Sequence, residues 1–317
     1  MNKKIPVIAV VGPTASGKTA LGVHLAKTFN GEVISGDSMQ IYKELSVATA
    51  KPTVDEMQGI PHHLIDIKSV SEEFSVADYS VMAKEAVDDI ISRGKLPVIV
   101  GGTGLYIDSF LNNIDFSENN HNDEIRAKIV AEMEQYGPQY ILDKLYEIDE
   151  PFAKTLQVEN KQRLIRALEI CYTTGKTVTQ NRVESRKNPS PYNPLYIGIN
   201  YKDRQVLYDR INLRVDKMVE QGIVDEAKML FSAAASKTAV QAIGCKEFKP
   251  YLDGNAPLDV CIEDLKTDSR RYAKRQLTWF NRNENINWIY PDEIGIENVF
   301  SAAEKIVLDY LKEVNDK

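Results

Sequence analysis

Short apolar runs alternate with segments of helical period through the first third of the chain. Ile5–Val11 is apolar throughout, the pattern of a strand buried on both faces. Residues 19–29 follow with Leu21, Leu25 and Ala26 near helical spacing, and 32–35 form a second short strand. Residues 76–93 read as a helix, with Gly94 just past its end where a C-cap glycine belongs. Residues 96–100 are a further buried strand ending in Gly101-Gly102. This alternation predicts βαβ units and a parallel sheet.

The pattern then changes. The chain turns polar from 112 to 122, and 123–175 is mostly helical with no convincing strand. A second polar, proline-rich stretch covers 187–194, and 196–200 returns to strand character. Long amphipathic helices are expected over 204–231 and 262–280. The expectation is an α/β protein: a P-loop NTPase-like core from 1–116 and 190–317, with a parallel sheet flanked by helices, interrupted by an all-helical insertion domain at 117–189.

Composition narrows the class. At 317 residues the prior is about two domains. With 43% hydrophobic and 27% charged residues, the chain is an ordinary globular protein, not a disordered or fibrous one. Cys171, Cys245 and Cys261 are odd in number and far apart, so neither a disulfide framework nor a zinc knuckle is indicated. Reduced thiols and a cytoplasmic location are expected. The apolar run behind Lys3 and Lys4 superficially looks like a signal peptide, but it is short and the segment after it has a better explanation. No apolar run approaches the ~18 residues of a membrane span, so no membrane partner is expected. A monomer is expected.

That better explanation is Gly12-Pro13-Thr14-Ala15-Ser16-Gly17-Lys18-Thr19, which matches G-x-x-x-x-G-K-[ST] between a strand and a helix. Glycines let backbone N–H groups turn inward around anionic oxygens, and the helix N-terminus adds positive partial charge. Lys18 supplies a full charge, and the Thr19 hydroxyl can ligate Mg²⁺. The loop predicts phosphate binding but leaves open which phosphate. An ATPase or small-metabolite kinase needs an acid for Mg²⁺ as well. Residues 96–100 end in Gly-Gly-Thr, so this is no Walker B strand, and Asp37 and Asp66 are the acids that follow other apolar runs.

Further segments fall together with this loop. They are Gly36-Asp37-Ser38-Met39-Gln40-Ile41-Tyr42, Thr49-Ala50-Lys51-Pro52, Pro61-His62-His63-Leu64, Gly101-Gly102-Thr103-Gly104-Leu105-Tyr106, Gln162-Arg163-Leu164-Ile165-Arg166-Ala167-Leu168-Glu169, Gln241-Ala242-Ile243-Gly244 and Ala273-Lys274-Arg275-Gln276-Leu277-Thr278-Trp279-Phe280. As an ordered set, running from about residue 6 to about 282, they resemble the tRNA dimethylallyltransferase family, also called tRNA isopentenyltransferases. The resemblance implies transfer of a dimethylallyl group from dimethylallyl diphosphate to N6 of adenine 37, next to the anticodon of tRNA. It implies a P-loop core with a helical insertion that grips the anticodon stem-loop. Asp37 resembles the family's general base, and Thr103 the residue that hydrogen-bonds the reacting centre. Arg214 is implied as a second cation for the diphosphate, with Arg210 one turn before it. Mg²⁺ is the implied cofactor, with Thr19 as its protein ligand. An RNA-binding module with a regulatory P-loop stands as a third reading, beside the kinase or ATPase.

Holding an anticodon loop requires phosphate-binding stripes, although 39 basic against 46 acidic residues leave a net charge of −7. Residues 161–187 and 266–282 concentrate basic side chains. Arg271, Lys274, Arg275 and Thr278 share one helical face, with Tyr272, Ala273, Leu277 and Phe280 opposite, suited to a core. By resemblance, tRNA contacts are expected from Asp37, Ser38, Met39, Gln40, Thr103, Arg126, Gln162, Arg163, Leu164, Ile165, Arg166, Gln241, Gly244 and Lys246. Three departures from the family pattern are visible. Cys245 stands where Tyr is usual, Asn281 where Arg is usual (Arg282 follows), and Gly36 where a β-branched residue is common. The His62-His63 pair sits in no metal-binding spacing and reads as structural, as do Trp279 and Trp288.

Overall fold

The computed structural model describes residues 4–116 and 122–316. Contacts divide the chain into two compact units, Met1–Leu111 with Pro191–Lys317, and Asn112–Ser190. The first is built on a six-stranded parallel sheet: β1 (Ile5–Val11), β2 (Gly31–Ser35), β3 (His62–His63), β4 (Leu96–Gly101), β5 (Tyr192–Ile199) and β6 (Ile286–Ile289), ordered β3-β2-β4-β1-β5-β6. Strand alternation sends β1 side chains to both faces. Ile8 and Val10 join one core with the Lys18–Thr28 and Val299–Asn315 helices, and Val7, Ala9 and Val11 join another with Tyr79, Ile107 and Phe110. Both faces are covered, which is why these strands read as continuous apolar runs.

Three expectations are corrected. The stretch 204–231 is two helices, Arg204–Glu220 and Ile223–Ser232, because Gly222 adopts the left-handed conformation at φ 92° and turns the chain between them. The strand expected at 196–200 begins earlier, at Tyr192, where Tyr192 pairs with Ile5; Asn193 and Pro194 hid its first half. The second long helix starts at Leu258 and runs to Phe280.

At the outer part of the sheet, buried Glu32 accepts from Arg93, Lys95 (2.7 Å) and His63 (2.7 Å). Chiefly through the Arg93 guanidinium, its carboxyl is held well below the usual range.

The second unit is helical. Asp123–Tyr136, Pro138–Ile148, Lys161–Thr174 and Val178–Glu184 enclose a core of Ile129, Ile141, Leu145, Leu164 and Leu168. Glu169 is fully buried, and its carboxylate takes Arg126 and Arg166 at 3.1 Å each. No described helix is long and apolar enough to cross a membrane.

Candidate active site

Residues 12–19 join the end of β1 to the Lys18–Thr28 helix. Gly12 sits at φ 146°, and a Cβ there would lie 2.3 Å from the Ile199 carbonyl, so only glycine fits this turn. Lys18 Nζ donates to the Pro13 carbonyl at 2.6 Å. Burial, then the neighbouring Arg214 charge, lowers the Lys18 pKa to about 7, while Asp37 pulls it the other way. Arg210 Nε donates to the Ala15 carbonyl at 2.9 Å and braces the loop from outside. Ser16 Oγ is buried without a hydrogen-bond partner among the described residues.

Beside the loop lies a cavity of about 300 Å³, at the small end of small-molecule sites. Thr14, Lys18, Thr19, Asp37 and Arg214 line it with polar and charged groups. Its walls include Ile211, Val215, Met218, Ile243 and Leu265, which are apolar. Ser38, Met39, Gln40, Gln241, Gly244, Lys246 and Arg275 also line it. A second cavity, about 470 Å³, opens on the other side of the loop among Ser16, Gly17, Arg210, Arg214 and Lys217. Lys18, Thr19 and Arg214 border both cavities.

Asp37 follows β2. Its Oδ1 caps the Met39 N–H at 2.9 Å, and no other side-chain bond engages the carboxylate among the described residues. Thr103 does not line the cavity. Its Oγ1 accepts from the Ser38 N–H at 3.1 Å, and its own N–H donates to the Gly36 carbonyl, so it braces the Asp37 loop. Asp66, the alternative acid for a kinase, is exposed and paired with Lys51. It does not line the cavity.

Several residues that sequence reasoning passed over complete the site. Tyr272, expected in the core, lines the cavity instead; burial pushes its phenol up to about 12. Gln276 is buried beside it and bonds both the phosphate loop and the Gly-Gly-Thr turn. Glu226 accepts from the N–H groups of Ser46, Val47 and Ala48 at 2.7–2.8 Å, and so fixes the segment whose Thr49 carbonyl meets Arg214. His62 also lines the cavity, with Nδ1 2.8 Å from the Ile60 carbonyl. Tyr272 and Gln276 lie at helical spacing on the inner side of a helix whose basic outer face drew the attention. Glu226 carries no signal without the fold, and His62, in a segment that bears the resemblance, reads as structural until the fold brings it to the cavity.

The chain was compared with known proteins. A family model described as IPP transferase matches residues 40–283. A tRNA dimethylallyltransferase of Halalkalibacterium halodurans is 47% identical over 311 residues, 98% of this chain and 99% of that protein. The chain belongs to the IPP transferase family. Among solved members, the tRNA isopentenylpyrophosphate transferase of Bacillus halodurans superposes with a TM-score of 0.74 at 44% identity, covering 99% of both chains. A eukaryotic dimethylallyltransferase acting on tRNA gives 0.82 at 30% identity, covering 98% of this chain and 80% of the other.

The remaining expected contacts separate by burial. Arg271, Lys274 and Thr278 lie on the exposed face of the Leu258–Phe280 helix. In the helical unit, Gln162 and Arg163 are exposed, Gln162 accepts from Arg126 at 2.9 Å, and Arg166 reaches Glu169. Leu164 and Ile165 face that unit's core, so their side chains are packing groups, a correction to their expected RNA contact. Cys245 is also fully buried and presents no surface for stacking.

Proposed function

We propose that this chain transfers a dimethylallyl group from dimethylallyl diphosphate to N6 of adenine 37 in tRNA, releasing diphosphate. One observation carries the reading: residues of the phosphate loop and Asp37 meet in a small cavity that also presents the apolar side chains of Ile211, Val215, Met218, Ile243 and Leu265. A kinase site needs a channel for a second polar substrate; a prenyl donor needs a polar end joined to a greasy one.

The chemistry follows from that layout. As the allylic C–O bond breaks, negative charge grows on the diphosphate, and Lys18, Arg214 and the loop's backbone N–H groups beyond Thr14, whose own N–H is bound to Gln276, are placed to meet it. The electron pair of the broken bond leaves with the diphosphate. The apolar walls exclude water from the cationic prenyl carbon. N6 forms the new bond and loses a proton to the Asp37 carboxylate. Thr103 holds the Ser38 N–H and with it the Asp37 loop. Mg²⁺ suits the hard oxygen donors present: the Thr19 hydroxyl would hold it together with diphosphate oxygens, and it would neutralise charge on the leaving group. No cluster of three or more His, Cys, Asp or Glu ligands exists among the described residues, consistent with an ion held mainly through its substrate.

The adenine must leave its stack to reach the cavity. We assign phosphate contacts to Arg271, Lys274 and Arg275, and to the basic residues of the helical unit. The test is incubation with dimethylallyl diphosphate, Mg²⁺ and unmodified tRNA, followed by nucleoside mass analysis. The reading requires adenosine carrying one prenyl unit; unmodified adenosine in an active preparation contradicts it.

A further inference from the structure

Gln276 is a polar side chain only 5% exposed, on the Leu258–Phe280 helix, at the point where two loops from different strands come together. Its Oε1 accepts from the Thr14 N–H of the phosphate loop at 2.8 Å. Its Nε2 donates to the Gly102 carbonyl at 3.0 Å. Thr14 offers only a donor and Gly102 only an acceptor, so the amide orientation is fixed by its partners. Neither bond can be made by an apolar side chain, and a carboxylate would turn a lone pair on the Gly102 oxygen. Gly102 is shaped to this contact: a Cβ there would lie 2.1 Å from Nε2.

The loops so joined carry opposite halves of the reaction. Thr14 belongs to the diphosphate cradle. Gly102 precedes Thr103, whose N–H and Oγ1 bond Gly36 and Ser38 on either side of Asp37. We propose that Gln276 is a positioning residue for prenyl transfer, holding the leaving-group loop at a fixed distance from the loop that carries the base. The proposal rests on the function assigned above. Displacement of reacting groups by about 1 Å can cost about 100-fold in rate. A carboxamide bonded to backbone groups of both loops opposes that displacement.

The experiment compares full-length wild type, Gln276→Met and Gln276→Glu in single-turnover prenyl transfer, with tRNA affinity and melting temperature measured in parallel. Gln276→Met should lower the transfer rate at saturating substrates about 10- to 100-fold, with tRNA affinity unchanged. Gln276→Glu carries a distinguishing signature. When protonated, the introduced carboxyl again offers one donor and one acceptor, so its rate relative to wild type should rise as pH falls; the Met variant's relative rate should not. Should Gln276→Met fail to fold, Gly102→Ala, which displaces the amide with Gln276 retained, is read in its place. A Met variant (or that substitute) within about 3-fold of wild type overturns the proposal, as does a Glu variant whose relative rate is flat with pH. A wild type that transfers no prenyl group overturns the function itself, which keeps the two failures apart.

Discussion

At the scale of single residues, the site is a balance of charge. Burial depresses both Lys18 and Arg214, the Arg214 charge depresses Lys18 further, and Asp37 partly offsets both. The Lys18 pKa of about 7 lies below its ordinary 10.5. An unfolded chain therefore binds more protons than the folded one between these values, and this group's destabilising effect is relieved as pH rises across that window. A bound diphosphate restores the charge. At pH 8, binding of inorganic diphosphate should take up more protons in the wild type than in Lys18→Met, measured by calorimetry in buffers of differing ionisation enthalpy; equal proton uptake in the two would remove Lys18 from the contact. Asp37→Ala should slow transfer by about 10²- to 10⁴-fold, the range for loss of a general base. Turnover near wild type would take the carboxylate out of that role. The phosphate loop and Asp37 were legible because their chemistry is written in consecutive residues. Gln276 and Tyr272 were not, since an inward residue on an amphipathic helix has the same spacing whether it meets a core or a cavity. Thr103 was legible as important, but its contact with Ser38 depends on a hydrogen bond across 65 positions of sequence.

At the scale of elements, the Leu258–Phe280 helix joins chemistry to surface. Its inner side contributes Tyr272 and Gln276, and its outer side exposes Arg271, Lys274 and Arg275. Arg275 also lines the cavity, so the basic face reaches the site itself. Replacing these three cations with Gln should weaken tRNA binding and flatten its dependence on salt, by roughly one unit of slope for each RNA phosphate that is no longer neutralised. An unchanged slope would place the RNA elsewhere. The core strands were readable because burial on both faces makes them continuously apolar. Errors fell where one residue overrides a period: Gly222 breaks a helix whose amphipathic pattern continues through it, and Pro194 disguises a strand that pairs with Val7 regardless.

At the scale of the whole molecule, a net charge of −7 coexists with a basic helix face and a basic stretch at 161–187. The acidic residues are used elsewhere, several of them to orient cations. Buried Glu169 holds Arg126 and Arg166, and buried Glu32 collects Arg93, Lys95 and His63. The units separate at Asn112 and Ser190, where the sequence turns polar, and each has its own apolar core. The most direct test is a crystal structure of the protein with an anticodon stem-loop RNA and an unreactive sulfur analogue of dimethylallyl diphosphate. The account predicts the diphosphate group in the 12–19 loop and the prenyl tail against Val215 and Met218. It predicts adenine N6 within hydrogen-bond reach of Asp37, about 2.6–3.2 Å. A prenyl tail outside that cavity, or an adenine N6 beyond reach of Asp37, would contradict it.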